Sequence, residues 1–314
     1  MKEKRTELII DDEFYNSEVR CDYRITEKQK KIWALQLELL YELLRVCQEN
    51  DIKCVVMWGT LLGAVRHKGF IPWDDDLDVA LERDEYEKLR RLGVSAFKPP
   101  FFFQTVDTDP NYFFPYARLR NSNTTGLILE NVGKEYNNGI YIDIYPLDGI
   151  TENRLLKSIQ SKQRNIYLAA ISKKMNPHKK NRNVSLKSMA VNILCAPLLL
   201  FSVKALIRKF DNCVARYNKK AAQIGLFYNP TLMDKHYYFP KAALNKIIML
   251  PFEMLQVPVP VGYDTVLKAV YGDYMELPPV EKRGLWHEGQ LVYEPEIPYK
   301  EYLESHPHLI GETD

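Results

Sequence analysis

Four aspartates stand within five positions of the chain, at Asp74, Asp75, Asp76 and Asp78. Asp76 and Asp78 are two residues apart at the start of the alternating segment Leu77–Leu81, so in a strand their side chains point to one face. Two carboxylates about 4 Å apart repel by roughly 4 kcal/mol at an effective dielectric constant near 20. A pair held in a cleft therefore needs a proton or a cation, and hard oxygen ligands favour Mg²⁺, Mn²⁺ or Ca²⁺.

A third carboxylate on another strand would complete such a site. Asp143 lies inside Ile140–Tyr145, whose β-branched and aromatic residues predict a strand. Mg²⁺ usually takes few protein carboxylates and shares phosphate oxygens with a substrate. We therefore predict a metal site made by Asp76, Asp78 and Asp143. For an isolated Asp-x-Asp pair, a solvated acidic turn is the structural alternative.

A predicted turn between a buried strand and a helix precedes the aspartates. The strand is Cys54–Trp58, and Gly59 and Thr60 follow it. Backbone N–H groups at such a turn can hold phosphate. Trp58 and Trp73 bracket the loop between the turn and the aspartates. These two features favour a substrate-binding site over a solvated turn.

Hydrophobic periodicity predicts the elements that position these residues. Apolar residues at three- and four-residue spacings predict a helix over Thr26–Asn50, with Thr26 as its N-cap. Strand and helix patterns alternate up to about residue 150, which predicts an α/β fold. The proline-rich last hundred residues predict an irregular segment that wraps this core. We predict a catalytic core over residues 1–152, completed by residues 251–314, with a helical insertion over residues 153–250.

Charge divides the chain into two unlike parts. Residues 153–210 contain 13 Lys and Arg residues and no Asp or Glu, whereas the remainder carries 30 basic and 41 acidic residues. A basic segment around the apolar run Met189–Val203 fits an anionic membrane surface, at roughly 1 kcal/mol per basic residue. A basic surface for an anionic substrate and a solvated helix pair are the alternatives. We expect no nucleic-acid binding, because aromatic residues are not interleaved with the basic ones.

Cysteine usage and the N-terminus indicate the compartment. The five cysteines form no Cys-x-x-Cys pair, and the charged residues Met1–Thr6 have no apolar stretch behind them. The apolar run Met189–Val203 would extend about 22 Å as a helix, short of the roughly 30 Å hydrocarbon core. We therefore expect a cytoplasmic protein that is peripheral on the inner face of the plasma membrane.

The segment Trp58–Leu81 closely resembles the LicD family of phosphotransferases, which includes the fukutin-type enzymes and belongs to the nucleotidyltransferase (polymerase-β-like) superfamily. Gly59-Thr60 stands where the superfamily has Gly-Gly or Gly-Ser, and a Thr hydroxyl makes the same hydrogen bonds as Ser. The resemblance continues from about residue 35 to about residue 290. Its further anchors are Tyr112–Thr124, Asp143–Asp148, Tyr271–Met275 and Leu277–Arg283 with His287.

The resemblance implies a nucleotidyltransferase core with a mixed sheet and a metal-dependent phosphotransferase activity. Phosphocholine, or a related phospho-polyol or phospho-amino alcohol, would pass from a CDP-activated donor to a hydroxyl of a cell-surface glycan precursor, with release of CMP. The acceptor would be a teichoic acid, capsule or lipopolysaccharide precursor, linked to a lipid. Asp76, Asp78 and Asp143 would hold Mg²⁺ or Mn²⁺, and Asp74 would be a further ligand, an orienting residue or a base. Asp143 or Asp74 would accept the proton of the acceptor hydroxyl, and Asp143 is the preferred candidate.

The predicted substrate-binding residues are basic, aromatic or part of the glycine turn. Arg118 and Arg120 on one strand would clamp the diphosphate, with ordinary surface charge as the alternative. Arg283 and His287 are four residues apart and would share one face of a helix, with structural hydrogen bonding as the alternative. The full predicted set is Gly59, Thr60, Arg66, His67, Lys68, Trp73, Arg118, Arg120, Arg283 and His287.

Two other functions compete with phosphotransfer. A glycosyltransferase with an Asp-x-Asp metal site normally has a nucleotide-binding half before the motif, whereas only 75 residues precede Asp76. A non-catalytic protein that binds membrane or glycan would not need the three carboxylates that this chain retains. Release of CMP would indicate phosphotransfer, and release of UDP or GDP would indicate glycosyl transfer.

Overall fold

The computed structural model describes residues 8–176, 186–228, 238–285, 287 and 289–309. The charged N-terminal residues Met1–Thr6 lie outside this part of the chain. So do three basic residues of the 153–210 segment, Lys179, Lys180 and Arg182.

Eight α-helices occur in the described residues. The long first helix begins and ends as its periodicity predicts: Thr26 caps it by accepting a hydrogen bond from the Gln29 N–H, and Asn50 follows its last turn. The third helix begins at Arg83. The helices are α1 (Glu27–Glu49), α2 (Trp58–Leu62), α3 (Arg83–Leu92), α4 (Arg154–Met175), α5 (Leu186–Cys195), α6 (Val203–Val214), α7 (Tyr263–Tyr271) and α8 (Tyr299–Ser305).

The central sheet is mixed, which confirms the predicted α/β class. It contains seven strands, and only β4 and β8 pair in parallel. Helix α1 packs across β8 and β6 and contributes Leu39, Leu43 and Val46 to the core. The strands of this sheet are β3 (Val55–Val56), β4 (Asp78–Glu82), β5 (Phe101–Gln104), β6 (Ala117–Asn121), β8 (Ile140–Ile150), β9 (Gln223–Gly225) and β10 (Tyr238–Pro240).

The register of three neighbouring strands brings charged residues together. Asp78 of β4 pairs with Asp143 of β8, and Asp143 pairs with Arg118 of β6 on the other side. Residues that are partners across a sheet project from the same face. Asp78, Asp143 and Arg118 therefore stand side by side on one face of the sheet.

Helices α4, α5 and α6 form a second, smaller packing unit beside the sheet. Ala170, Ile171, Leu206 and Ile207 are buried together there, in contact with Phe113 from the loop before β6. No helix in the described part of the chain is both long and apolar enough to cross a bilayer.

A buried ion-pair network fastens these helices to the core. Arg83 donates to both oxygens of Asp148 at the end of β8, at 3.0 and 2.5 Å, and to Asp211 of α6 at 3.1 Å. Arg90 of α3 reaches the second oxygen of Asp211 at 3.1 Å. Because removing one member of a buried pair is strongly destabilising, the network fixes α6 against β8.

The proline-rich C-terminal part is more regular than predicted. Strands β11 (Ile247–Phe252) and β12 (Leu255–Pro260) form an antiparallel ribbon, and β13 (Leu291–Glu294) pairs with β7 (Thr125–Ile128). The expectation of an irregular wrap was wrong, because proline is tolerated in strands that have an unpaired edge. A further hairpin joins β1 (Glu18–Arg20) to β2 (Tyr23–Ile25).

Candidate active site

Helix α1 holds the aspartate-rich loop by its backbone. Gln29, Trp33 and Gln36 lie at four- and three-residue spacings on one face of the helix. Their side chains donate to the carbonyl oxygens of Pro72 at 2.9 Å, Asp74 at 3.1 Å and Asp75 at 2.8 Å, respectively. These three hydrogen bonds fix the loop that carries Asp74, Asp75 and Asp76. Periodicity alone did not reveal this role, because it treats polar residues inside an apolar face as neutral.

Gly59 and Thr60, predicted as a turn, lie in the first turn of α2, which packs directly against the same loop. A side chain at Gly59 would have its Cβ atom 2.5 Å from Asp74 Oδ2, so any other residue there would displace the Asp74 carboxylate. Thr60 is buried, and its hydroxyl accepts a hydrogen bond from the Asp78 N–H at 2.8 Å. Trp58 begins α2 with φ at 48°, a left-handed value that bulky residues seldom adopt. The start of α2 thus positions Asp74 and Asp78.

The clustered carboxylates disfavour one another's charge. Burial, reinforced by the charges of Asp76 and Asp143, raises the pKa of Asp78 well above its usual range. Burial likewise raises the pKa of Asp76 to about 6, with Asp75 and Asp143 adding to the effect and His287 opposing it. Burial and the charge of Asp76 raise the pKa of Asp74. A bound cation would relieve this repulsion.

Asp143 is held from two sides. Its Oδ1 accepts from Arg118 Nε at 2.6 Å, and its Oδ2 accepts from the Tyr145 hydroxyl at 3.0 Å. The Arg118 guanidinium lies over the Tyr141 ring at 4.0 Å, and its Nη1 is buried without a hydrogen-bond partner. If the Asp143 carboxylate accepted a proton from a substrate, that proton would compete with the Arg118 and Tyr145 hydrogen bonds for the same oxygens.

A second cluster of ligand atoms involves Asp75, which the sequence did not single out. His287 Nδ1 lies 2.8 Å from Asp75 Oδ1 and 3.9 Å from Asp76 Oδ2. One ligand atom from each of these residues falls within 4.8 Å of the others, a spacing at which the described side chains could share a metal ion. Burial lowers the pKa of His287, but the hydrogen bond to Asp75 and the charge of Asp76 outweigh it and raise the pKa overall.

Arg66, His67 and Lys68 follow α2 along the chain. Arg66 donates to the carbonyl oxygens of Tyr274 at 2.6 Å and Glu276 at 3.1 Å. Burial and the charge of Arg66 lower the pKa of His67 to about 4. Lys68 is exposed. Arg66 also donates from Nε to His67 Nε2 at 2.9 Å, and the His67 ring packs 6.1 Å from the Trp73 ring.

Of the remaining predicted residues, Arg283 is partly exposed and Arg120 is buried in the core. Arg283 lies over Trp73, 5.1 Å from its ring centre, and donates to the Cys21 carbonyl at 2.7 Å. Arg283 and His287 do not share a helix, so that expectation was wrong; only a short turn, Val280–Lys282, precedes them. Arg120 is fully buried and donates to Gln104 at 2.5 Å and to the Gly139 carbonyl at 2.6 Å, so in this structure it supports Tyr141 from within the core.

A cluster of aromatic rings adjoins Asp143 through Tyr145, whose hydroxyl donates to it. Tyr145 packs at 5.2 Å from Trp58 and 4.5 Å from Tyr116, and Tyr116 packs at 4.6 Å from Tyr228. Aromatic faces attract cations, including quaternary ammonium groups. Next to the carboxylates, the cluster of Trp58, Tyr116, Tyr145 and Tyr228 can accept a positively charged group.

A mixed α/β sheet with carboxylates paired across parallel strands, beside a buried arginine, has the features of transferases that act on phosphate groups. The model of the LicD/FKTN/FKRP nucleotidyltransferase domain matches residues 51–177. The lipopolysaccharide cholinephosphotransferase LicD of Haemophilus influenzae is 30% identical over 271 residues, which cover 84% of this chain and 97% of that protein. An uncharacterised protein of Rickettsia prowazekii is 35% identical over 133 residues, 42% of this chain and 44% of its own length. The chain belongs to the LicD family and is a transferase.

Proposed function

We propose that this protein transfers phosphocholine from a CDP-activated donor to a hydroxyl of a cell-surface glycan precursor and releases CMP. The observation that carries the proposal is the similarity to a lipopolysaccharide cholinephosphotransferase over 97% of that protein's length. The retained carboxylates Asp76, Asp78 and Asp143 support it. We further propose that the mixed sheet is a polymerase-β-like nucleotidyltransferase core, in keeping with the description of the matching domain.

We propose Mg²⁺ or Mn²⁺ as the cofactor. The donor set fits such an ion, because hard carboxylate oxygens cluster where burial and the neighbouring carboxylates already raise the pKa of Asp76 and Asp78. Asp76 and Asp78, with Asp143, would hold it. When bound, the ion would neutralise charge on the phosphate oxygens.

The chain's own residues would orient the reactants. Arg118 holds Asp143 in one rotamer and offers a free, buried Nη1 to an anionic group. In the transfer, an acceptor hydroxyl oxygen forms a bond to the donor's β-phosphorus, and the bond from that phosphorus to the bridging oxygen breaks, leaving with CMP. Asp74 is the base candidate with no cationic partner among its described contacts, and it would accept the hydroxyl proton.

The aromatic cluster supports choline as the head group. In CDP-choline two carbon atoms separate the phosphate oxygen from the quaternary nitrogen, so a phosphate beside Asp143 would bring the cation near Tyr145 and Trp58. Rings hold a desolvated cation with up to about 2 kcal/mol. We therefore expect Trp58→Leu to raise the KM for CDP-choline more than the KM for CDP-ribitol. Equal effects on the two donors would argue for a different head group.

We propose that the acceptor is a lipid-linked precursor of lipopolysaccharide, teichoic acid or capsule, handled at the cytoplasmic face of the plasma membrane. The acid-free residues 153–210 would face that anionic surface. Nucleic acid is not a proposed partner.

The decisive experiment supplies purified protein with a panel of donors, a lipid-linked glycan extract and Mg²⁺. We expect CMP to appear with CDP-choline, together with labelled choline in the glycan fraction, and both to stop when EDTA removes the metal. Release of UDP or GDP from nucleotide sugars, with no CMP from any CDP donor, would replace the proposal with glycosyl transfer. A protein that binds glycan but turns over none of these donors would be a non-catalytic member of the family.

A further inference from the structure

The last residues of α5 and the connection that joins it to α6 expose large apolar side chains. We call residues 192–202 the apex. Leu200 is 89% exposed, Ile193 72%, Leu194 54% and Phe201 41%. Single exposed apolar residues are ordinary on protein surfaces, but such a cluster in one short connection marks an interaction surface.

The apex stands on a packed base. Cys195 is buried and donates to the Ile166 carbonyl of α4, and Leu206 and Ile207 of α6 are buried against Ala170 and Ile171. Ser202 caps α6 by accepting from the Ala205 N–H at 3.2 Å. The exposed side chains therefore project from an ordered helical support.

Lysines converge on the apex from the neighbouring helices. Lys174 donates to the Leu199 carbonyl at 3.0 Å, Lys173 donates to the Asn192 side chain, and Lys209 lies over the Phe201 ring at 4.5 Å. Residues 153–210 contain no carboxylate. The next one, Asp211, is engaged by Arg83 and Arg90. The apolar apex is thus bordered by positive charge that is not neutralised within the segment.

We propose that the apex inserts into the interfacial region of an anionic bilayer, with Leu200 and Phe201 among the acyl chains and Lys173, Lys174 and Lys209 at the lipid phosphates. An apolar tip with a basic border matches such a surface in both hydrophobicity and charge. The inference deepens the proposed function, since it rests on a lipid-linked acceptor to explain why a transferase would need this surface. The inference assigns membrane contact to the apex, residues 192–202.

Vesicle co-sedimentation tests the proposal with full-length protein. We expect binding to vesicles of phosphatidylglycerol and phosphatidylcholine, weakened at high salt and absent with phosphatidylcholine alone. The double variant Leu200→Ser/Phe201→Ser should bind at least about tenfold more weakly, because two apolar side chains no longer leave water. Met275→Ser/Val280→Ser is the matched control, since both side chains are more than half exposed outside the segment, and it should bind like the wild type.

A fluorescence measurement distinguishes insertion from electrostatic attraction alone. Phe201→Trp should gain emission that shifts to the blue on vesicles and is quenched by brominated acyl chains, relative to the wild type. Binding without this quenching, or equal binding by the Leu200→Ser/Phe201→Ser variant, would overturn the insertion. Equal binding to neutral vesicles would overturn the role of the lysines.

The same variants separate this inference from the proposed activity. Leu200→Ser/Phe201→Ser should retain CMP release with a water-soluble acceptor fragment and lose it with acceptor embedded in vesicles. If the wild type binds vesicles as expected but transfers no phosphocholine, the proposed function fails and the membrane surface stands. If it transfers phosphocholine but ignores anionic vesicles, the membrane surface fails alone.

Discussion

Arg118 and Asp143 face each other across antiparallel strands and form a 2.6 Å hydrogen-bonded ion pair in the buried part of the site. The Tyr145 hydroxyl donates a hydrogen bond to the other oxygen of the Asp143 carboxylate. Asp143 therefore differs from Asp78, its neighbour in the parallel register, because a protein cation already compensates its charge. The two carboxylates that sequence alone treats as equivalent ligands are expected to respond differently to mutation.

Removing the Asp143 carboxylate should destabilise the fold. Asp143→Ala leaves the buried Arg118 guanidinium without its counter-ion, and breaking a buried pair in this way costs about 3–5 kcal/mol. Urea unfolding followed by circular dichroism measures the loss. The double variant Asp143→Ala/Arg118→Met should recover part of it, and a single variant as stable as the wild type would contradict the pairing.

Asp78→Asn should abolish activity without unfolding the protein. The side chain faces other carboxylates, so neutralising it relieves repulsion, while the loss of a metal ligand should lower kcat by roughly 10³ or more. CMP release and thermal unfolding of the same preparation provide the two readouts. Asp84→Asn, an exposed aspartate in the first turn of α3, is the matched control and should keep both properties. Near-normal turnover by a folded Asp78→Asn protein would remove the metal-site proposal.

The metal-free protein should lose stability as pH rises through the titration of Asp76. Burial raises the pKa of Asp76 from 3.8 to about 6 in the folded state, so between these values the folded protein binds more protons than the unfolded chain. The free energy of unfolding therefore falls as pH rises across this window. Thermal unfolding in EDTA at pH 5.0, 6.0 and 7.5 measures the trend, which Asp76→Asn should weaken and not abolish, because the pKa values of Asp74 and Asp78 are raised as well.

Added Mg²⁺ should raise the melting temperature more at pH 7.5 than at pH 5.0, because protons and the ion compete for the same oxygens. An equal Mg²⁺ effect at both pH values would place the ion elsewhere.

Gln36→Leu should impair catalysis while leaving the helix intact. The substitution removes the 2.8 Å hydrogen bond to the Asp75 carbonyl, at a cost of about 1 kcal/mol, and frees the loop that positions Asp76. We expect kcat to fall about tenfold and the Mg²⁺ concentration for half-maximal rate to rise. Gln48→Leu, exposed on the same helix, should match the wild type in both measurements.

The parts of the site predicted from sequence are those set by local pattern. A period of two placed Asp76 and Asp78 before a strand, and the β-branched run around Asp143 predicted its partner strand. Contacts between distant segments were not accessible in this way. His287 reaches Asp75 across 212 residues of sequence, and no local pattern encodes that approach.

The basic residues also show that contacts between distant segments cannot be predicted from local sequence. Arg66 and Arg120 were chosen for their charge and their nearness to the motifs, yet the structure binds both guanidiniums to backbone carbonyls. A basic residue in a sequence is expected to have a hydrogen-bond or ionic partner. Tertiary packing decides whether that partner is the substrate or another part of the protein. Asp148 was noted only as part of a motif, and its contacts with Arg83 give it a structural role.

The parallel pairing of Asp78 with Asp143 also links catalytic activity to the register of β4 and β8. Side chains alternate faces along a strand, so a slip of one residue between β4 and β8 would send one carboxylate to the opposite side of the sheet. Misregistered molecules would keep most of their hydrogen bonds yet be catalytically silent. The specific activity per mole of folded protein would therefore report the fraction of molecules in which β4 and β8 are correctly aligned. This quantity can be compared among preparations refolded from denaturant.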